Sequence, residues 1–146
     1  MRGEKIYEYD VDMTGTIDFG VELAHILEGK ASIPPQGARF DVGFDGRSTG
    51  RIAGRLSGTD FAYMRPDGCI ELNIRGVIET DDGKRIALQA GGVGVLRSDA
   101  PILDLTETVR LLTAAPDYDW VNARQILAVG TADLATGKIH LEGFLQ

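Results

Sequence analysis

Apolar and polar positions alternate most regularly between Gly58 and Gly91. Two interruptions, Pro66-Asp67-Gly68 and Asp81-Asp82-Gly83, divide this stretch into three runs, the pattern of a three-strand antiparallel meander. With glycine in the left-handed position of each turn, Arg65 lies opposite Cys69 and Thr80 opposite Lys84. That register gathers Met64, Ala62, Asp60, Ile70, Leu72, Ile74, Ile78, Ile86 and Leu88 on one face. The other face carries Arg65, Tyr63, Phe61, Glu71, Asn73, Arg75, Glu79, Arg85 and Gln89. A slip of one residue would exchange the two sets, so the register is itself a prediction.

The rest of the chain reads as further strands. Residues 1–13 are polar and form either a frayed terminus or a first strand through Ile6, Tyr7 and Tyr9. Thr16 to Leu23 reads as a strand, followed by a loop or short helical turn, and Gly29 to Gly37 with Pro34 and Pro35 is a loop. Phe40, Val42 and Phe44 make a half-buried strand that Asp45-Gly46 ends, and Arg51 to Leu56 makes another with a bend at Gly54. Pro101 to Glu107 opens a short helix in this reading, with Val109 to Thr113 a strand. Pro116 to Asp119 forms a loop before Trp120. Ile126 to Thr131 and Ile139 to Leu145 form a last hairpin across Thr136-Gly137.

Many short strands with little helix predict a mainly β, single-domain antiparallel β-barrel over residues 1–146, lipocalin-like in outline, with at most one or two short helices. The composition agrees: 146 residues, 43% of them hydrophobic, suit one core, and nineteen glycines spread along the chain suit tight turns and strand irregularities. A net charge of −7 opposes binding to a phosphate backbone or an anionic membrane, so the expected partner is a small-molecule ligand, neither nucleic acid nor membrane. A homo-oligomer is compatible with the same sequence. The single cysteine, Cys69, and the lack of an apolar leader or membrane-length run make a cytoplasmic location the expectation.

One succession of residues is distinctive. Gly50-x-x-x-Gly54, Gly58-Thr59-Asp60-Phe61, Arg65-x-Asp67-Gly68, Asn73-x-Arg75, Thr80-x-Asp82-Gly83, Trp120-x-Asn122 and Val129-Gly130 occur in this order. Together they resemble the family of domain of unknown function 3237, also called uncharacterised protein family 0311, from about Leu23 to the C-terminus. The resemblance implies a mainly antiparallel β-barrel and no established general activity. The chain departs from the family pattern at Phe61, where the family tends to have tryptophan, and at Asn73, where it tends to have aspartate.

Candidate chemistry follows from the two meander faces. Asp60, among apolar neighbours, would have its ionised form disfavoured and would suit a general acid or base near neutral pH. Alternatively it caps the turn after Gly58 through backbone donors. Asn73 and Arg75 share a strand face and form a pair able to hold a carboxylate, phenolate or enolate oxygen. Their alternative is a solvated face on which Arg75 pairs with Glu71, Glu79 or Gln89. In a barrel, the Asp60 face and the Arg75 face cannot both point inward.

Tyr63 and Trp120 either line an aromatic pocket or fill core and edge positions, and Asn122 either orients a ligand carbonyl or makes a local turn bond. His140 is a reserve acid or base. No His- or Cys-rich spacing implies a metal, no nucleophile elbow a hydrolase, and no Gly-rich βαβ unit a nucleotide cofactor. The sequence therefore leaves two functions. One is a cofactor-independent lyase, isomerase or cyclase acting on an oxygenated, mostly apolar metabolite, with Asp60 and Arg75 catalytic and Tyr63, Asn73, Trp120 and Asn122 binding substrate. The other is a non-catalytic barrel that encloses a small apolar metabolite.

Overall fold

The computed structural model describes residues 3–146. Eight strands run in chain order around one closed antiparallel barrel: β1 (Glu4–Asp18), β2 (Ala38–Gly50), β3 (Gly54–Met64), β4 (Ile70–Thr80), β5 (Arg85–Leu96), β6 (Ile102–Leu112), β7 (Ile126–Asp133) and β8 (Lys138–Leu145). A five-residue helix, α1 (Leu23–Leu27), and a 3₁₀ turn at Asp119–Val121 complete it. Pairing of β1 with β8, from Glu4↔Leu145 to Asp12↔Lys138, closes the ring and leaves no free sheet edge.

The meander register is the predicted one. Arg65 N–H donates to Cys69 O at 2.9 Å and Thr80 N–H to Lys84 O at 2.8 Å, with Gly68 and Gly83 at φ 88° and 86°. These left-handed backbones suit glycine because it has no Cβ to clash. The pleat then turns Met64, Ala62, Ile70, Leu72, Ile74, Ile78, Ile86 and Leu88 into the barrel, while Glu71, Asn73, Arg75 and Gln89 face outward.

One local alternative is decided and three readings are corrected. Of the two readings of residues 1–13, the first strand holds from Glu4 onward: these residues belong to β1, whose Tyr7, Tyr9 and Val11 are buried, and the expectation for Met1 and Arg2 lies outside the described residues. Leu23 is in α1, because β1 already stops at Asp18. Asp45-Gly46 does not end β2, since Gly46 pairs with both Val11 and Leu56 and a side chain there would meet Asp10 O at 2.1 Å. The helix expected from Pro101 is strand β6, where buried Leu103, Leu105, Val109 and Leu111 alternate with exposed residues at the strand period.

The barrel has two unlike ends. At one, Ile52, Ile78, Ile86, Ile126 and Val121 are almost fully buried, and the 3₁₀ turn supplies Val121 to this plug. At the other, Leu23 of α1 and Leu134 of the β7–β8 turn pack against the core above the interior. Among the described residues no helix is long and apolar enough to cross a membrane.

Candidate functional site

Between the plug and α1 lies a cavity of about 90 Å³, walled by aliphatic and aromatic side chains such as Phe40, Phe44, Leu72, Ile74, Leu105 and Leu141. Four polar side chains interrupt that lining: Tyr9 and Thr16 from β1, Asp60 from β3 and Glu107 from β6. Among the described residues no lysine, arginine or histidine lines it.

The pleat of β3 points Asp60 into the cavity, and beside it the β3–β4 ladder opens between the pairs Asp60↔Ile74 and Tyr63↔Glu71. The freed amide of Asn73 donates to Asp60 Oδ1 at 2.9 Å. Asp60 thus accepts a backbone bond, as its structural reading expected, but across strands and inside the wall. Burial pushes its carboxyl up to about 6, further raised by the charge of Asp41, while the Asn73 bond acts in the opposite direction.

Glu107 is more deeply enclosed, at 2% exposure, because β6 points it inward between Leu105 and Val109. Loss of hydration pushes its carboxyl up to about 8, with a further push from Asp60, while a hydrogen bond shared with the Tyr9 phenol lowers it. Its Oε1 has no partner, and neither has the phenol oxygen of Tyr7, itself 1% exposed. The Tyr7 ring stacks on Tyr9 at 5.7 Å and lies over Gly143, where a Cβ would come within 2.5 Å of it. A register shift between Lys5 and Tyr7 in the β1–β8 pairing accompanies burial of both Ile6 and Tyr7. Both phenols are pushed up, chiefly by burial and then by Glu107, and stay protonated.

The two carboxyls differ in environment and therefore in charge. At neutral pH Asp60 is mostly ionised, whereas Glu107 is mostly protonated. One accepts a proton and the other donates one, inside a single apolar chamber.

The other residues singled out in the sequence stand apart from this chamber. Arg75 and Asn73 are exposed on the outer wall, where Arg75 borders a groove with Gln89, Arg110 and Leu112. The Tyr63 hydroxyl donates to Gln36 O at 2.7 Å over Gly37. Trp120 belongs to the plugged end, with the Arg51 guanidinium 4.1 Å from its ring centre. Asn122 accepts from Thr113 N–H at 2.8 Å and donates to Thr113 O at 2.7 Å, a backbone pairing nine residues away in place of the local turn bond of its alternative reading. His140 is on the outer wall, its Nδ1 2.8 Å from Asp10. It groups with Glu8 and Glu142 in a metal-like triad, but Lys5 already bridges the two glutamates at 3.5 and 2.9 Å.

Sequence reasoning thus brought Asp60 to the chamber and missed Tyr9 and Glu107. Their signal was present: an acid at the third place of Leu103-x-Leu105-x-Glu107-x-Val109-x-Leu111, a series otherwise apolar at every second position. Reading Pro101 to Glu107 as a helix hid it.

Residues 28–141 match the family described as "Protein of unknown function (DUF3237)". The chain belongs to this family. A curated relative, UPF0311 protein RPA1785 of Rhodopseudomonas palustris, is 32% identical over 87 residues, which span 51% of this chain and 56% of that protein. Solved structures with the same fold include a protein with unknown function from Clostridium acetobutylicum, with TM-score 0.81 and 19% identity over 99% of this chain and 96% of that one. A beta-barrel like protein from Acinetobacter baumannii follows, with TM-score 0.76 and 21% identity over 99% and 94%. An enzyme from Penicillium herquei has TM-score 0.64 and 15% identity, again over 99% and 94%. At these identities the three structures establish the barrel and nothing finer. Within the family pattern, the Gly58-Thr59-Asp60-Phe61 stretch is the one that carries the opened ladder and the inward carboxyl.

Proposed function

We propose that this barrel is a proton-transfer enzyme, of lyase, isomerase or cyclase type, acting on an uncharged, mostly apolar, oxygenated small molecule and using only its own carboxyls. The observation that carries the reading is the convergence of Asp60 and Glu107 on one aliphatic cavity with their carboxyls pushed to about 6 and about 8. A pair of acids separated in this way supplies a base and an acid at the same pH. Asp60 takes a proton from a C–H beside a carbonyl, or from a hydroxyl, while Glu107 gives its proton to the carbonyl oxygen. Where the substrate is a β,γ-unsaturated ketone, return of the Asp60 proton to the far end of the dienol, and of the enol proton to Glu107, shifts the double bond into conjugation, completes an isomerisation and restores both groups. If instead a substrate hydroxyl gives its proton to Asp60 and its oxygen attacks the carbonyl carbon, the C=O π bond breaks, Glu107 protonates the carbonyl oxygen and a cyclic hemiketal closes; transfer of a proton from Asp60 to Glu107, directly or through solvent, resets the pair.

The lining restricts the substrate. With no cation facing the cavity, a substrate carboxylate would meet the Asp60 charge unneutralised in a medium of low polarity. The chamber is also smaller than the few hundred Å³ (~300 or more) of a usual metabolite pocket, so a larger substrate enters only as the Leu23 and Leu134 end opens. In this reading Arg75 has no part in the chemistry, and Tyr9 orients the Glu107 carboxyl. The Penicillium herquei neighbour is described as an enzyme, which favours catalysis on this fold without naming the reaction here.

The aliphatic lining itself favours a second reading, a binding barrel that only encloses its ligand. Both are tested by incubating the protein in deuterated water with a panel of neutral enolisable ketones and hydroxy-enones, following deuterium incorporation and cyclisation by mass spectrometry, and binding by thermal shift. Catalysis predicts a bell-shaped rate with limbs near 6 and 8, which Asp60→Asn abolishes while the thermal shift persists. Ligand stabilisation without turnover in the wild type would establish the binder. Turnover untouched by both Asp60→Asn and Glu107→Gln would overturn the site.

A further inference from the structure

The outer wall differs sharply around its circumference. On β8, β1, β2 and β3 it is covered by ion pairs: Lys5–Glu142, Lys138–Asp12, Arg39–Asp41 and Arg55–Asp45, all at 3.0 Å or less. On β5, β6 and β7 the middle of the outward face instead carries Gly91, Val93, Val95, Thr106, Thr108, Leu127 and Val129, bordered on β6 by Asp104, which pairs with Arg97, and by Arg110. The pairings align them in rows, Val93↔Thr106↔Val129 and Gly91↔Thr108↔Leu127. Val93 and Val95 are 38% and 53% exposed. An uncharged, contiguous, largely β-branched patch rimmed by charged residues is the mark of a covered face.

We infer that this face is covered by a second copy of the same chain, in a two-fold dimer with β6 of each copy lying antiparallel over β6 of the other. The argument is the order of residues along β6. Its outward series is Asp104, Thr106, Thr108, Arg110, which becomes its own complement when reversed about Glu107. A two-fold axis in the plane of the contact and across the strands, on the row Gly92↔Glu107↔Ala128, therefore sets Arg110 against Asp104 and Thr106 against Thr108 of the second copy. It also sets Val93 against Gly91 and Val129 against Leu127, large against small on β5 and apolar against apolar on β7. Two sheet faces meeting in this way pack about 10 Å apart with strands within about 30° of antiparallel.

Charge supports the same register. Among the described residues Arg110, like Arg75 and Arg85, makes no ion pair, whereas Arg39, Arg47, Arg51, Arg55, Arg65 and Arg97 do. Asp104 is held by Arg97 at 2.8 Å and keeps acceptor capacity for a second guanidinium. Two Arg110–Asp104 contacts at the ends of an uncharged strip let chains of net charge −7 approach there and not through their acidic wall.

The test uses the full chain in sedimentation equilibrium at tens of micromolar, with circular dichroism to confirm that each variant is folded. The wild type is expected at twice 15.7 kDa. Thr106→Glu and Thr108→Lys, each alone, are expected to weaken the dimer by about tenfold or more through like charges near a desolvated contact. Mixing the two variants restores it, because Glu at 106 of one chain then faces Lys at 108 of the other. A monomeric wild type overturns the inference without any variant. A dimer indifferent to both substitutions, or two weakened variants that do not rescue each other on mixing, overturns this face and this axis.

Discussion

Asp60 and Arg75 occupy neighbouring strands and adjacent rungs, Asp60 opposite Ile74 and Arg75 opposite Thr59, yet they live in different solvents. The pleat sends Asp60 into the barrel and Arg75 out of it. Inside, burial is the largest of the effects that move the Asp60 carboxyl from 3.8 to about 6, and it is again the largest of those that move Glu107 from 4.5 to about 8. Outside, the guanidinium of Arg75 stands in water among other polar groups. A charged side chain in this fold is therefore chemically consequential according to the parity of its position, not according to the neighbours it has in sequence.

The largest break in that comparison comes from the inward neighbour of Arg75. Ile74→Ala removes an inward side chain from the cavity wall and is expected to cost about 2–5 kcal/mol, read from urea unfolding. The next effect is on pH dependence. Because the folded-state values of Glu107 and Asp60 lie above their ordinary ones, the native state holds their protons longer than the unfolded chain does. Their contribution to stability is therefore complete below about pH 4 and is lost as pH rises through 6 and then 8. Glu107→Gln removes most of this loss: at pH 9 the variant is expected to be more stable than the wild type by about 1–3 kcal/mol, with a flatter melting temperature between pH 5 and 9. Smallest is Arg75→Ala, on the outer wall, expected to change stability by no more than about 0.5 kcal/mol and to leave turnover unchanged.

The fold was legible wherever a turn and an alternating run occurred together. Gly68 and Gly83 each fix a short turn, the turn fixes the register, and the register separates Ile74 from Arg75. Where a strand is long and its signals are mixed, the sequence misleads for definable reasons. Asp45-Gly46 has turn chemistry, but Gly46 is demanded by the approach of β1 within the barrel wall. Pro101 has helix-start chemistry, but closure of the ring gives β6 partners on both sides. The site was half legible for the same reason. Asp60 stands out on a well-registered strand, whereas Tyr9 and Glu107 stand on strands whose register is set by partners remote in sequence. Only closure brings β1, β3 and β6 around one cavity.

The central claim is that one chamber holds an ionised and a protonated carboxyl side by side at neutral pH. Carbon-detected NMR of protein labelled at Asp and Glu side-chain carboxyls, titrated from pH 3 to pH 10 and assigned with Asp60→Asn and Glu107→Gln, measures it directly. The account predicts one carboxyl titrating near 6 that disappears with Asp60→Asn and one near 8 that disappears with Glu107→Gln. Both carboxyls titrating in the ordinary range, at about 4–5, would contradict it.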